Sequence, residues 1–458
     1  MLITNRPDAD VEALRARLEG AVYGPTDAGW DHARAAWNLA VDQRPAAVAF
    51  PVTDADVLAA VEFARDEGLR IAPQGTGHGA SALARNLEGE ILLSTARMRG
   101  VRIDARARRA RVRAGAVWGD VTLPASAYGL APLAGSSADV GVVGYTLGGG
   151  LSWLGRKHGL ACNSVTAIEL VTPERGLVRV DAEHEPDLFW ALRGGGGSFG
   201  VVTSLELELY PAEDLYAGSM LWPWERAGEI YDAYRFWAET VPDEVTSLVR
   251  LLQAPNLPEV PAPLRGRQFV AFEAAILGHQ GYRSEIVEPM RSFGPELDMF
   301  ATMPPAGLIE IHGDPKHPVP AMGNHRLLSN IDGAAVDALL EAAGPGSGSP
   351  FVSCELRHLG GELGRRRHGH GALGALDADY SMFAVGVVTG AEAAMAIDAA
   401  LTALLDAMAP WDPGAGYLNF VETPDHPRRF FDAGTYRRLK SVKAAVDPDG
   451  VILANHPI

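Results

Sequence analysis

Two side chains of this 458-residue sequence, His78 and Cys162, carry nucleophilic atoms of the kind that covalent chemistry uses. His78 lies inside a glycine turn, residues 75–80 (Gly-Thr-Gly-His-Gly-Ala). An isolated histidine is most often an ordinary surface or core residue, and an isolated cysteine is most often a small buried hydrophobe. Both, however, belong to a glycine-rich region, residues 75–200, where consecutive backbone N–H groups can form a nest for a pyrophosphate. Within that framework the two side chains become candidates for a ligand site.

Residues 75–80 also satisfy the pattern Gly-x-Gly-x-x-Ala of dinucleotide-binding folds, and residues 69–72 before them read as a short strand. Such a fold places an acidic residue near the end of its second strand, where it binds the ribose. Here the next strand, residues 91–93, is followed by Ser94 and Thr95. The sequence therefore argues against a Rossmann unit and keeps only the glycine nest.

Two other motifs have ordinary explanations. Residues 196–200 (Gly-Gly-Ser-Phe-Gly) match the nucleophile elbow of hydrolases around Ser198, but that elbow needs a strand before it and a helix after it. Here the predicted order is reversed, which favours a glycine turn. His368 and His370 follow three arginines and have no carboxylate or thiol beside them, so we interpret them as part of an exposed basic loop. No metal site is predicted.

The composition is typical of a folded protein, with 47% hydrophobic and 21% charged residues, and the length predicts two or three domains. Forty basic against 57 acidic residues give a net charge of −17, which disfavours nucleic acid and anionic membranes as partners. The two cysteines, Cys162 and Cys354, are too few for a disulfide framework or a four-thiolate zinc site. Residues 1–6 lack a signal-peptide pattern, and we expect a soluble cytoplasmic protein without membrane spans.

The elements that must position the candidate residues follow from periodicity. Residues 54–67 repeat apolar positions at helical spacing, with Thr53 or Asp54 as the cap. Strands are predicted at residues 101–104, 110–114, 166–170 and 201–209, and the first and last of these segments alternate between apolar and polar residues. After Pro211 tryptophans and proline-rich loops appear, which indicates a second domain with strands at 351–359 and 380–388 and a helix at 391–408.

Five segments in a fixed order resemble the berberine-bridge-enzyme-like FAD-linked oxidases. They are residues 73–79 (Pro-Gln-Gly-Thr-Gly-His-Gly), 139–150 (Asp-Val-Gly-Val-Val-Gly-Tyr-Thr-Leu-Gly-Gly-Gly), 187–195 (Asp-Leu-Phe-Trp-Ala-Leu-Arg-Gly-Gly), 416–420 (Gly-Tyr-Leu-Asn-Phe) and 447–455. The resemblance covers essentially the whole chain. It implies an α+β protein, in which a PCMH-type FAD-binding domain of two α+β subdomains carries an inserted α+β substrate domain, an antiparallel sheet covered by helices.

The implied division places residues 1–212 in the first segment of the FAD-binding domain and residues 213–410 in the substrate domain. Residues 411–458 then return to the FAD-binding domain. The implied cofactor is FAD held by two covalent bonds, from His78 to the 8α-methyl group and from Cys162 to carbon 6 of the ring. The resemblance further implies cofactor contacts from these residues: Gln74, Gly75, Thr76, Gly77, Gly79, Ala80, Gly135, Ser136, Asp139, Val140, Gly141, Gly144, Tyr145, Gly148, Gly149, Gly200, Val202, Tyr417, Asn419 and Asn455.

The same resemblance implies that Tyr417, with Asn419 nearby, removes a proton from the substrate. Because free tyrosine has a pKa near 10, such a base requires a cationic or hydrogen-bonding environment that lowers the pKa. Tyr380 resembles a second tyrosine that some members use, although an aromatic residue packed on a sheet explains it as well. Glu422 lies near the motif in a local sequence unlike that of the plant members.

The implied activity is oxidation of an alcohol- or amine-bearing carbon in a sugar, glycoside or secondary metabolite, with electrons passing to dioxygen. Val140 precedes the glycine of the Val-Gly-x-x-Gly stretch, where a small valine is typical of oxidases and a leucine of dehydrogenases. The alternatives are a dehydrogenase with another acceptor, a flavin-binding protein without turnover, and a hydrolase that uses Ser198. The sequence gives no signal for the exact substrate or the oligomeric state.

Overall fold

The computed structural model describes residues 10–213, 215–278, 280–423 and 425–458. The prediction about the amino-terminal residues 1–6 lies outside the described residues.

The amino-terminal part is built on a four-stranded sheet with mixed pairing. Its strands in spatial order are Ala21–Tyr23, Ala47–Phe50, Ile91–Ser94 and Ile71–Gln74. Its helices are Val11–Arg15, Trp30–Ala33 and Asp54–Asp66. The predicted helix is confirmed, and it begins at Thr53 because the Thr53 hydroxyl accepts the Asp56 N–H while the Asp56 carboxylate accepts the Thr53 N–H.

A second sheet has five antiparallel strands. They are Val101–Asp104, Arg109–Arg113, Val201–Glu208, Val165–Thr172 and Gly176–Val180 in spatial order. A two-stranded ladder joins Leu130–Ala131 to Tyr210–Pro211. The helices of this part are Trp118–Ser126, Val142–Leu147, Gly155–His158 and Pro186–Leu192.

The largest sheet has eight antiparallel strands. They are Leu297–Asp298, Leu215–Pro223, Gln268–Leu277, Val245–Gln253, Ser353–His358, Tyr380–Val387 and Ala321–Leu328 in spatial order, with Ala301–Met303 beside the second of them. Four helices pack against one face, and they are Ala227–Ala238, Gln280–Arg291, Gly333–Ala343 and Ala391–Ala407. Alternate residues along each strand therefore face either the helices or the rest of the molecule.

The carboxyl-terminal segment returns to the first two sheets. Helix Ala433–Val446 packs its apolar residues into the core of the five-stranded sheet. The Asp447 carboxylate then accepts the N–H groups of Val451 and Ile452 at 2.8 and 2.9 Å, and this turn brings Ile452 beside Ile71 in the first sheet. The predicted mixed α+β architecture with an antiparallel sheet is confirmed, whereas the boundaries at residues 212 and 410 stay a prediction. Among the described residues no helix is long and apolar enough to cross a bilayer.

Candidate active site

The glycine turn that carries His78 follows directly from the strand Ile71–Gln74. Gly77 has a φ of +84°, and a Cβ there would lie 2.9 Å from Ala36. Only glycine accommodates both the left-handed backbone and the close approach, so the turn is shaped by this residue. Ala80 closes the turn, since its N–H reaches the Gly77 carbonyl at 3.3 Å.

Three groups hold the His78 imidazole in place. Its ring stacks on Trp37 with centroids 4.1 Å apart and planes inclined by 19°. Nδ1 lies 2.8 Å from the Thr76 hydroxyl oxygen, and Nε2 lies 3.6 Å from the Asp139 Oδ1. The side chain is 23% exposed. The imidazole is therefore oriented on its face and at both nitrogens.

Asp139 receives two hydrogen bonds besides its contact with His78. The Trp37 indole N–H donates to Oδ2 at 2.5 Å, and the Ser137 hydroxyl donates to Oδ1 at 2.8 Å. Burial by itself would raise the pKa of Asp139, but the contacts with His78, Ser137 and Trp37 outweigh it and lower the pKa to about 2. Asp139 is thus a carboxylate throughout the physiological pH range.

Three consecutive glycines, Gly148, Gly149 and Gly150, follow the helix Val142–Leu147 and form what we call the glycine floor. A Cβ on Gly148 would lie 1.8 Å from the Asn419 side-chain oxygen, and one on Gly149 would lie 2.9 Å from the Tyr417 ring. Gly149 and Gly150 have φ values of +125° and +87°. These three glycines let the side chains of the Tyr-x-Asn motif approach the backbone as closely as they do.

Tyr417 lies over this floor, and its side chain is fully enclosed. Its phenolic oxygen accepts the Gly150 N–H at 2.9 Å and the Asn419 side-chain N–H at 3.0 Å. Asn419 also donates to the Tyr145 carbonyl at 2.9 Å. Burial raises the pKa of Tyr417, and the two hydrogen bonds and the Arg357 charge oppose that rise without cancelling it. The expected stabilising donors are present, but the pKa of the phenol is raised rather than lowered.

His325, which the sequence did not indicate as a site residue, holds the backbone of Tyr417 in place. Its Nε2 accepts the Tyr417 backbone N–H at 3.1 Å. Burial lowers the pKa of His325 to about 3, so the ring is neutral at neutral pH. Phe420 packs edge-on against Tyr417 with centroids 5.1 Å apart, and the Arg357 guanidinium lies 5.4 Å from the Phe420 centroid.

Cys162 belongs to the same buried apolar cluster as Tyr417. Its thiol is completely buried and contacts the Leu373 carbonyl oxygen at 3.7 Å, and its backbone N–H donates to the Gly149 carbonyl at 2.8 Å. Burial raises the pKa of the thiol to about 12. The thiolate form is therefore scarce at neutral pH.

Several other predicted cofactor residues contact the His78 turn or the glycine-rich region beside Tyr417. The Asn455 side-chain N–H donates to the Gly79 carbonyl, which ties the tail to the His78 turn. A Cβ on Gly135 would lie 3.0 Å from the Tyr145 ring, and one on Gly141 would lie 3.6 Å from the Thr76 side chain.

Val140 precedes Gly141 and is partly buried against the neighbouring core, with its carbonyl oxygen accepting the Trp118 N–H at 3.0 Å. The Ser136 hydroxyl donates to the Asp314 carboxylate at 2.7 Å.

The remaining predicted cofactor residues are less closely connected. Gln74 ends the strand before the turn, and its carbonyl accepts the Thr95 hydroxyl at 3.3 Å. Gly75 and Gly144 have open space where a Cβ would point. Gly200 and Val202 lie at the start of the strand Val201–Glu208, packed against the neighbouring strand, and their described contacts do not join them to His78 or Tyr417.

Tyr380 is not brought together with Tyr417. It shares the helix-facing core with Met382, stacks on His358 with centroids 5.5 Å apart, and lies near Tyr234. The opposite face of the same strand carries Phe383, which contacts Phe420 with centroids 5.2 Å apart. Strand alternation therefore directs Tyr380 away from the Tyr417 cluster.

A buried ionic cluster on the sheet face opposite the helices was not predicted. Arg250 and His312 each contact the Glu273 carboxylate at 2.6 Å, and Arg357 contacts Glu355 at 2.6 Å. Burial would raise the pKa of Glu273, but Arg250 and His312 outweigh it and lower the pKa. Single charged residues in otherwise apolar strands were the sequence signal that could have revealed this cluster.

Two small cavities adjoin these groups. One of about 20 Å³ is lined by Arg357, Trp153 and Ser136, and one of about 120 Å³ is lined by Asp139, Asp314 and Lys316. In the described part of the chain no three histidine, cysteine, aspartate or glutamate side chains are arranged to hold a metal ion.

The other two motifs are ordinary. Ser198 lies after the helix Pro186–Leu192 and before a strand, and its hydroxyl oxygen accepts the Ile458 N–H. This order is the reverse of a nucleophile elbow, as expected. His368 is exposed, and His370 contacts the Gly374 carbonyl at 2.8 Å within the same loop.

The residues present fit an FAD cofactor. The backbone turn at residues 75–80 leaves room beside Gly75, and His78 Nε2 is buried without a hydrogen-bond partner among the described residues. Gly149 approaches the Tyr417 ring, and the buried Cys162 thiol belongs to the same apolar cluster as Tyr417. A glycine turn that can hold a pyrophosphate, an imidazole within that turn and an apolar chamber with a phenol are the chemistry that a covalently held flavin requires.

Comparison with known proteins agrees with this geometry. Residues 45–181 match the model of an FAD binding domain. The chain is 35% identical to (R)-6-hydroxynicotine oxidase of Paenarthrobacter nicotinovorans over 206 residues, 45% of each chain. It is 34% identical to glucooligosaccharide oxidase of Sarocladium strictum over 242 residues, which are 52% of this chain and 48% of the relative. These alignments span about half the length of the curated relatives.

The fold similarity extends further than the sequence similarity. The structure of BBE-like 1 from Physcomitrella patens superposes with a TM-score of 0.84 at 20% identity, covering 98% of this chain and 99% of the other. The fold implied by the sequence motifs is thereby confirmed. The chain therefore contains an FAD-binding domain matched over residues 45–181, and it shares its overall fold with a berberine-bridge-enzyme-like protein.

Proposed function

We propose that the protein is an FAD-dependent oxidase acting on a small molecule. It removes a hydride from a carbon that bears a hydroxyl or amine group and passes the electrons to dioxygen, which becomes hydrogen peroxide. The names of two relatives, a hydroxynicotine oxidase and a glucooligosaccharide oxidase, support this reaction class and favour a cyclic amine or a sugar as substrate. FAD, when bound, supplies the hydride-accepting ring.

The observation that carries the proposal is the arrangement at the Tyr417 oxygen. Two N–H donors, from Gly150 and Asn419, occupy its acceptor positions at 2.9 and 3.0 Å. Neither bond uses the phenolic hydrogen, which stays available for exchange with a substrate hydroxyl or amine. Burial raises the pKa of Tyr417, so the phenolate is a small fraction at neutral pH. The same two donors stabilise that phenolate, which accepts the substrate proton as the hydride leaves the adjacent carbon.

Tyr417 lies in a buried apolar cluster, which we call the Tyr417 chamber. Leu151, Leu160 and Leu373 pack in the same buried cluster, which excludes water from the phenol. Exclusion of water strengthens each hydrogen bond to the developing phenolate. The neutral His325 fixes the Tyr417 backbone and adds no competing positive or negative charge at neutral pH.

We propose that the cofactor is held by bonds from both His78 and Cys162. His78 lies in the partly exposed turn and Cys162 in the buried cluster, so the two tethers approach from different surroundings. A cofactor held covalently can remain accessible to a bulky substrate without being lost. Val140, next to Asp139 and Gly141, is the residue that we assign to dioxygen access, because a small side chain there leaves space beside the ring.

The test begins with the absorption spectrum of the purified protein before and after acid precipitation. Yellow colour that stays with the pellet supports covalent flavin, and colourless protein contradicts the cofactor proposal. Anaerobic mixing with neutral oligosaccharides and with cyclic amines then identifies substrates by bleaching of the flavin absorbance. Readmitted air should restore the colour and release hydrogen peroxide, whereas a reduced flavin that persists in air would favour a dehydrogenase.

A further inference from the structure

His78 is oriented in a way that separates the roles of its two nitrogens. Asp139 is ionised, and a carboxylate can only accept hydrogen bonds, so the imidazole hydrogen belongs on Nε2, which faces it at 3.6 Å. Nδ1 then keeps its lone pair and accepts the hydrogen of the Thr76 hydroxyl at 2.8 Å. Stacking on Trp37 holds the ring in the orientation that keeps each nitrogen beside its partner.

Asp139 is itself held firmly. The Trp37 indole and the Ser137 hydroxyl donate to its two oxygens. Trp37 therefore contacts both members of the pair, through its ring face to His78 and through its N–H to Asp139. The arrangement matches the general design in which a carboxylate orients an imidazole and stabilises the positive charge that the ring acquires during a reaction.

We propose that Asp139 is a positioning residue for self-catalysed attachment of FAD, selecting Nδ1 of His78 as the nucleophile and stabilising the imidazolium formed on it. This role rests on the proposed covalent attachment at His78. It adds a function for Asp139 and Trp37 that contact with FAD alone does not require.

Attachment forms one bond and breaks one. A C–N bond forms between Nδ1 and the 8α-methyl carbon, and one methyl C–H bond breaks with loss of a proton. The electron pair of that C–H bond passes into the ring, which is reduced by two electrons. Because Nε2 still carries its hydrogen, the newly bonded imidazole is a cation beside Asp139 until that proton also leaves. Dioxygen then reoxidises the flavin ring and becomes hydrogen peroxide.

The experiment isolates the histidine bond by using Cys162→Ala as the parent protein. Apoprotein prepared under flavin limitation is mixed with FAD, and covalent flavin is followed by fluorescence on denaturing gels and by intact mass. Asp139→Asn keeps the shape and removes the charge, Asp139→Glu keeps the charge, and Ser137→Ala removes one donor to Asp139. FAD affinity of each apoprotein is measured separately by fluorescence quenching.

We expect attachment to be slower by roughly tenfold or more in Asp139→Asn, because the neutral amide no longer stabilises the positive charge that the ring acquires. Asp139→Glu should recover part of the rate, and Ser137→Ala should lose little. Attachment rates are compared at saturating FAD, so that a change in FAD affinity does not enter the comparison. The isolated histidyl flavin should be linked through Nδ1.

Three results would overturn the role of Asp139. They are attachment at the parent rate in Asp139→Asn, a linkage through Nε2, and equal losses in the Asn and Glu variants accompanied by weak FAD binding. A parent protein that binds FAD yet forms no covalent flavin would contradict the attachment itself, which distinguishes failure of the proposed function from failure of this inference.

Discussion

His78 and Cys162, the two proposed attachment residues, lie in opposite surroundings. His78 is 23% exposed and has a carboxylate partner, an aromatic ring beneath it and a hydroxyl at Nδ1. Cys162 is completely buried among leucines, and burial raises the pKa of its thiol to about 12. The glycine turn thus prepares the His78 imidazole as a nucleophile through charge and orientation. The buried cluster instead suppresses ionisation of the Cys162 thiol, which is the nucleophile that it contains.

The same contrast separates the tasks of the two regions. The His78 turn is polar and suited to holding a cofactor, whereas the Tyr417 chamber is apolar and suited to moving one proton without water. Burial raises the pKa of both Tyr417 and Cys162, so both groups in the chamber keep their protons until a partner changes the local charge.

The largest effect is expected for Tyr417→Phe, which removes only the phenolic oxygen. Flavin binding should persist, and anaerobic flavin reduction by a substrate should slow by about 10²–10⁴-fold, the usual contribution of general-base catalysis. The unaltered protein should show reduction rates that rise with pH, because the raised pKa of Tyr417 leaves it protonated at neutral pH. Stopped-flow absorbance measures both. A loss below about threefold would assign the base to another group.

The two tethers should differ in their dependence on pH. With His78→Ala isolating the cysteinyl bond, raising the pH from 7 to 9 should speed attachment by about 100-fold, because the thiolate fraction grows tenfold per unit below a pKa of about 12. With Cys162→Ala isolating the histidyl bond, the change should be much smaller. The double variant should release free FAD on denaturation. Intact mass over time decides the matter, and a cysteinyl bond that forms equally fast at both pH values would contradict the role of burial.

A smaller effect is expected at Val140. Val140→Leu adds one methylene to a partly buried position where the proposed oxygen path needs space, and overpacking costs about 1–3 kcal/mol. Reoxidation of the reduced protein by air should therefore slow by roughly tenfold, since about 1.4 kcal/mol corresponds to a factor of ten. Anaerobic reduction should be nearly unchanged, and Val140→Ala serves as the matched control with fast reoxidation. Equal reoxidation rates for all three proteins would remove Val140 from the oxygen path.

The glycine turn around His78 was recognisable from residue types alone, whereas Cys162, Tyr417 and Asn419 were singled out through the family resemblance. The structure brings Tyr417 and Asn419 together, and the roles of all four residues stay a prediction. The sequence did not predict which face of its sheet the Tyr380 side chain occupies. Its strand is apolar on both faces, so alternation separates Tyr380 from its neighbours without telling which face meets the helices.

Long-range pairings were equally hidden from the sequence. The stacking of Trp37 on His78 and the contact of His78 with Asp139 join segments that are distant along the chain. Likewise, no local pattern indicates that burial raises the pKa of Tyr417, since that shift arises from side chains contributed by several segments. Periodicity and capping did identify the helix Asp54–Asp66, whose determinants are local.

The smallest effect concerns the bond between the tail and the His78 turn. Asn455→Ala removes the side-chain donor to the Gly79 carbonyl and should cost about 1 kcal/mol of stability, the usual value of one hydrogen bond. Because this bond holds the polar turn and does not touch the Tyr417 chamber, histidyl attachment should slow by about fivefold while flavin reduction by substrate stays unchanged. Thermal unfolding and the attachment time course measure the two quantities, with Asn256→Ala in a distant exposed loop as the control. A slowed reduction step in Asn455→Ala would mean that the turn and the chamber are coupled, and the contrast drawn between them would fail.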